Sequence, residues 1–158
     1  MIRHFRPFAL LALSLAVAGC IDTSGPGDPT PIEETTFASS LGVDLNASTR
    51  TVNGAYYRDI TVGTGQVVQN GQTLQVRYSG WLSSGFLFDS NLAEASPLPF
   101  VLGNDNIIAG WHETIPGMRI GGKRQLIIPS TLAYGPYGSG EIPGNAVIVF
   151  TVEVVGAQ

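Results

Sequence analysis

The stretch Ile108-Ala-Gly-Trp111-His-Glu-Thr-Ile115-Pro-Gly-Met-Arg-Ile-Gly-Gly-Lys-Arg-Gln-Leu-Ile-Ile128-Pro-Ser-Thr-Leu-Ala-Tyr134-Gly135 decides the fold. Ile108, Trp111 and Ile115 fall at i, i+3 and i+7, the spacing of one apolar helix face, and Pro116-Gly117 ends the run. A Gly-Gly turn, an apolar strand reaching Ile128 and a Pro-to-Tyr-Gly loop follow. Almost nothing in it can do acid–base or nucleophilic chemistry, so the segment reads as an apolar cradle.

Outward from it, short strands and turns dominate. Tyr56 to Val62 is extended, Leu74, Val76 and Tyr78 alternate with polar residues as a half-buried strand does, and Ser83-Ser84-Gly85 turns the chain toward Phe86 to Asp89. Phe100-Val101-Leu102 is a further short apolar run. In Ala146 to Val155, Ile148, Phe150, Val152 and Val154 share one face. One short helix with this many strands predicts an α+β domain, a mostly antiparallel sheet of five to six strands curled around the helix.

At 158 residues the chain holds one ordinary domain and a tail. Residues 1–19 read as a signal peptide: Arg3, His4 and Arg6 precede an apolar run from Phe8 to Gly19, which is too short to span a ~30 Å bilayer core. Val17-Ala18-Gly19-Cys20 resembles the lipobox of bacterial lipoproteins. Cys20 is the only cysteine, and lipidation accounts for a lone exported thiol. That places the protein in the cell envelope, anchored to a membrane through lipid at Cys20 and facing the periplasm or exterior.

Residues 20–50 are rich in Gly, Pro, Ser, Thr and acidic side chains, and read as a flexible acidic linker in which Phe37, Leu41, Val43 and Leu45 could dock. The folded domain is then 51–158. Without Arg3 and Arg6, six basic residues face twelve acidic ones, so no basic patch exists to hold nucleic acid.

His112 is the only histidine outside the signal segment, and the domain has no cysteine, so neither a metal site nor a Ser-His-Asp arrangement is expected, and no cofactor. His112 itself reads as a solvent-facing helix residue. Gly117 to Lys123 imitates the start of a phosphate loop, but Arg124 stands where Ser or Thr is needed and the segment runs from helix to strand. Gly63-Thr64-Gly65 lacks the third glycine of a dinucleotide fingerprint. Both are turns.

The ordered set Gly71-Gln-Thr-Leu-Gln-Val-Arg-Tyr78-Ser-Gly80, Phe88-Asp89-Ser90, Ile107-Ile108-Ala-Gly-Trp111, Gly121-Gly-Lys-Arg-Gln-Leu126, Ala133-Tyr134-Gly135 and Ile142-Pro143 through Phe150 resembles FKBP-type peptidyl-prolyl isomerases. The resemblance covers roughly 51–155 and implies the same wrapped sheet. It further implies an apolar cavity for a proline ring with Trp111 as floor. Tyr78, Asp89 and Tyr134 would be the catalytic side chains, Tyr134 donating to a substrate carbonyl together with the Ile108 N–H. The substrate-binding lining would be Phe88, Leu98, Phe100, Ile107 and Ile108 beside Trp111, with Ile142 and Phe150.

The implied ligands are proline-containing segments of exported proteins and macrolides of the FK506 and rapamycin type. Three positions depart from the family pattern. Glu94 stands where many members carry an Arg paired to the residue at Asp89, Leu98 where an aromatic is common, and Ser139 near a position often held by His. Tyr137 is the residue placed to fill that last space. Two functions follow: a catalytic isomerase that assists folding of exported proteins, or a non-catalytic module or holdase that binds proline segments.

Overall fold

The computed structural model describes residues 27–104 and 107–158; the expected signal peptide and Cys20 lie outside the described residues. Seven strands are present: β1 (Thr49–Arg50), β2 (Tyr56–Thr61), β3 (Thr73–Leu82), β4 (Leu87–Ser90), β5 (Leu98–Val101), β6 (Lys123–Ile128) and β7 (Ile148–Ala157). The helix α1 (Ala109–Thr114) lies between β5 and β6. The sheet order is β1-β2-β6-β7-β3-β4, with β5 pairing β3 as well, and every pairing is antiparallel. The expected five to six strands become seven because the two-residue β1 and the split edge formed by β4 and β5 each add a short pairing.

β3 and β7 run side by side from Leu74↔Ala157 to Leu82↔Ile148. On their inner faces Leu74, Val76, Ile148, Val152 and Val154 are fully buried under the helix. Six residues are too few to hold a helix in water alone, so α1 persists through what it packs against. Trp111 and Ile115 are buried, and Gly110 sits so close to β6 that a Cβ there would lie 2.4 Å from Ile128 Cγ2. The helix ends where Pro116 follows Ile115, as the sequence predicts.

The glycine pairs are back-to-back turns. A Cβ on Gly63 would meet the Gly122 nitrogen at 2.4 Å, and the Gly65 N–H donates to the Ile120 carbonyl at 3.0 Å. Next to them Arg124 is the buried cation of the core. It makes two bonds to Asp59, at 2.7 and 3.0 Å, and one of 2.7 Å to the Thr114 carbonyl at the helix end. Its guanidinium also lies 4.4 Å from the Tyr57 ring centroid. A buried charge is tolerated only when paired in this way.

The face of the sheet turned away from α1 is covered too. Ile32, at 2% exposure, joins Tyr56, Ile127, Val147 and Val149 in a second core, with Phe37, Leu41, Val43 and Leu45 packed on it. Ala38 N–H donates to the Ser83 carbonyl at 2.8 Å, and Gln125 Nε2 to the Leu41 carbonyl at 2.7 Å. The segment from Ile32 to Leu45 is therefore a strap on the sheet and not a solvated linker. Its composition hides this because five apolar side chains spread over a polar stretch suffice once an apolar face is there to receive them.

A candidate isomerase cavity at the mouth of the sheet

Trp111 of α1 packs against the sheet, where three strands each deliver a ring onto it. Tyr78 of β3 and Phe150 of β7 stand edge-on to the indole, each with its centroid at 5.3 Å and interplanar angles of 78° and 86°. Edge-to-face stacking at this distance is the favoured arrangement of aromatic quadrupoles. Phe100 of β5 packs behind the indole at 5.7 Å, and Phe88 of β4 stands perpendicular to Phe150 at 5.6 Å. Gly80 makes room for this: a Cβ there would lie 2.5 Å from Phe150 Cε1 and 2.7 Å from Phe88 Cζ.

Above the indole is a cavity of about 120 Å³, room for one small ring. Tyr78, Asp89, Leu98 and Tyr134 line it together with Ile107, Ile108, Trp111 and Phe150. Of the expected lining, Phe88, Phe100 and Ile142 stand one layer back: Phe88 and Phe100 support the rings, and Ile142 is buried in the main core.

Tyr78 donates its hydroxyl to Asp89 Oδ2 at 2.6 Å. Burial, this bond and the Asp89 charge push the Tyr78 phenol well above its usual range; burial and the same carboxylate raise Tyr134. Both phenols thus stay protonated in the cavity wall, Tyr78 donating to Asp89 and Tyr134 with its proton available to a bound group.

The loop between β4 and β5 forms the near rim, and it is held by two residues. The carboxamide of Asn91 accepts from the Tyr78 N–H at 2.7 Å and donates to the Val76 carbonyl at 3.0 Å. It thereby acts as a surrogate peptide, filling the gap on the β3 edge between the stretches paired to β4 and to β5. Arg77 donates to the carbonyls of Asn91 at 2.8 Å, Glu94 at 2.7 Å and Ala95 at 3.5 Å. The guanidinium is spent on the loop backbone, and Asp89 is oriented by Tyr78.

The far rim differs from expectation at two points. Tyr137 is 84% exposed and fills no gap; instead Ser139 and Ile142 exchange both backbone bonds at 2.9 Å and close the loop on itself. His112 does not face solvent. Its Nδ1 accepts the Gly103 N–H at 3.0 Å, which ties the segment after β5 to the helix. Among the described residues no three His, Cys, Asp or Glu side chains gather as a metal would need, and no helix is long and apolar enough to cross a membrane.

Residues 64–155 match the family described as FKBP-type peptidyl-prolyl cis-trans isomerase. This chain belongs to that family. An FK506-binding protein of Neisseria meningitidis serogroup B is 41% identical over 105 residues, 66% of this chain and 96% of that protein. FK506-binding protein 4 of Rhizopus delemar is 43% identical over 111 residues, 70% of this chain and 29% of the longer relative.

Among solved structures, AtFKBP13 superposes with a TM-score of 0.65 at 35% identity, covering 70% of this chain and 98% of that one. FkpA from Escherichia coli superposes with a TM-score of 0.66 at 32% identity, covering 76% of this chain and 55% of that one. The protein is an FKBP-type isomerase in sequence and in fold. Asn91 and Gly80 had no local signature: their roles depend on which strand or ring stands opposite.

Proposed function

We propose that this isomerase acts on proline-bearing segments of exported proteins, binding the ring over Trp111 and lowering the barrier to rotation about the preceding amide. That barrier is ~18–20 kcal/mol because the amide loses resonance at the perpendicular geometry. A twisted amide is less dipolar at its carbonyl and more amine-like at nitrogen, so an apolar, water-poor wall favours it over the planar ground state. Every ~1.4 kcal/mol of that preference is a tenfold gain in rate.

In this reading Tyr134, protonated and half-buried, donates to the substrate carbonyl. The Ile108 N–H, which precedes the first helical residue and has no partner within the helix, makes a second donor. Asp89, fixed by Tyr78, faces the twisted nitrogen side. The observation that carries the reading is the aromatic cavity over Trp111 with two phenols held in their donor form. No covalent step is required.

A protease-free isomerisation assay on a proline tetrapeptide tests it, with Tyr134→Phe and Asp89→Val as variants. The reading fails if wild type matches buffer; retained peptide binding without a rate effect would instead identify a binding module or holdase. Competition by an FK506-type macrolide is expected at the same cavity. We further propose a bacterial lipoprotein, cleaved before Cys20 and lipid-anchored in the cell envelope, which mass spectrometry of the mature amino terminus would establish or exclude.

A further inference from the structure

The cavity over Trp111 is the smaller part of a longer cleft. Beside it opens a groove of about 370 Å³, lined chiefly by Thr73, Leu98, Pro99, Phe100, Val101 and Ile107. Leu98 and Ile107 line both, so the two spaces are one cleft divided by a pair of aliphatic side chains. The groove wall is an edge of the sheet: β5 is paired to β3 from Thr73↔Val101 to Val76↔Leu98, and no other described strand pairs with β5. Among the described residues none of the groove's lining side chains is charged, and Thr73 and Asn104 are the polar ones in an otherwise apolar wall.

The occupant follows from this continuity. The strap Ile32–Leu45 is already used on the opposite face of the sheet, so it is not available to fill the groove. A polypeptide whose proline sits over Trp111 reaches the groove when it leaves past Leu98 or Ile107, the two residues that line both spaces. In an extended chain, side chains two residues apart point the same way and stand ~7 Å apart, so neighbouring spaces take side chains at alternate positions. An apolar wall discriminates by burial, so it rewards an aliphatic or aromatic side chain and gives a polar one nothing.

We propose that the groove along β5 is a subsite for an apolar side chain two to four residues from the isomerised proline in the same polypeptide. It rests on the isomerase reading and deepens it, since it sets which prolines in an exported chain are preferred. Leu98 acts as the divide where a bulkier ring would narrow the passage. The preference set here is for apolar context at a distance from the proline and is separate from the identity of the residue directly before it.

The test is exchange NMR on a series of ten-residue peptides with one central proline, Leu replacing Ser at each position two to four residues to either side. At one position Leu is expected to raise kcat/KM about tenfold, mainly through KM. Val101→Glu, on an exposed part of the groove and outside the proline cavity, should abolish that gain and leave turnover of a short proline tetrapeptide within twofold of wild type. Val101→Ile should keep the gain.

No gain at any position overturns the subsite, and a gain that survives Val101→Glu overturns its location. If wild type does not turn over even the short peptide, the isomerase reading falls instead. The subsite is then decided by the same Leu-for-Ser and Val101→Glu comparisons made on peptide affinity.

Discussion

Replacing Gly80 by Ala tests whether the rings beneath the cavity are positioned by the sheet. Gly80 lies in β3 opposite Phe150 in β7 and Asp89 in β4. Its backbone does not lie in the left-handed region, so Ala brings no torsional strain there. The added Cβ would stand 2.5 Å from Phe150 Cε1 and 2.7 and 2.9 Å from two atoms of the Phe88 ring. Carbon atoms rest at ~3.5–4.0 Å, so the rings must retreat by ~1 Å.

Overpacking of this kind costs about 2 kcal/mol. Loss of glycine freedom in the unfolded chain offsets about 0.7 kcal/mol of that. The net destabilisation, about 1.3 kcal/mol, should lower Tm by about 5 °C for a domain of this size. The effect on turnover should be larger. Phe150 lines the cavity and touches Trp111 edge-on, and a misplacement of ~1 Å at an active site costs up to ~100-fold.

Thermal unfolding and kcat/KM on a proline peptide measure the two effects. Gly80→Ala combined with Phe88→Leu should recover about 1 kcal/mol relative to additivity, because Leu removes one of the two rings that the methyl strikes and gives Phe150 room to retreat. Unchanged Tm and kcat/KM in Gly80→Ala, or strict additivity in the pair, would refute the reasoning.

Arg124→Met should cost about 2–3 kcal/mol in chemical denaturation, less than a fully buried pair would, because the Asp59 side chain is 36% exposed and stays hydrated when abandoned. Ile32→Ala should cost about 2–4 kcal/mol and leave kcat/KM unchanged, since the strap packs on the face away from the cavity; a cost near zero would mean that the strap is not part of the packed unit. Tyr78→Phe should lower kcat/KM about tenfold by releasing Asp89, one charge-assisted hydrogen bond being worth about 1.5 kcal/mol. The stability gap between wild type and Tyr78→Phe should hold steady through neutral pH and shrink above about pH 10, where the unfolded phenol ionises first while the folded one, its pKa raised, keeps its proton. Glu33 shows the opposite sign: its hydrogen bond from Tyr56 holds its carboxyl below the usual range, so the stabilisation lost in Glu33→Gln should be present at neutral pH and vanish as pH falls below about 4.

Much of the cavity was legible because it is built from local patterns. The helix spacing of Ile108, Trp111 and Ile115 and the alternation through Tyr78 and Phe150 each specify a face within a few residues, and ordered motifs then name their partners. What escaped was of another kind. Asn91 is an unremarkable polar residue until its carboxamide meets the bare edge of β3 between Val76 and Tyr78. Arg77 has no sequence signal for its task either: three backbone carbonyls of the β4–β5 loop take its guanidinium. The strap was half legible: Phe37, Leu41, Val43 and Leu45 were read as able to dock, and the unbroken apolar runs Leu126-Ile127-Ile128 and Val147-Ile148-Val149-Phe150, which mean a sheet covered on both faces, say where.

By itself, then, the sequence determined the wrapped antiparallel sheet and the short helix carrying Trp111, since hydrophobic period is a property of neighbours along the chain, while the ring's place as cavity floor came from the family resemblance. Tertiary structure alone decided that Tyr78 orients Asp89, that a carboxamide stands in for a peptide at the rim, that the acidic stretch before β1 is bound to the sheet, and that the cavity continues into a groove along β5. Each of these depends on which distant group arrives first at an unsatisfied donor or an uncovered apolar surface, and that is settled only when the chain closes on itself.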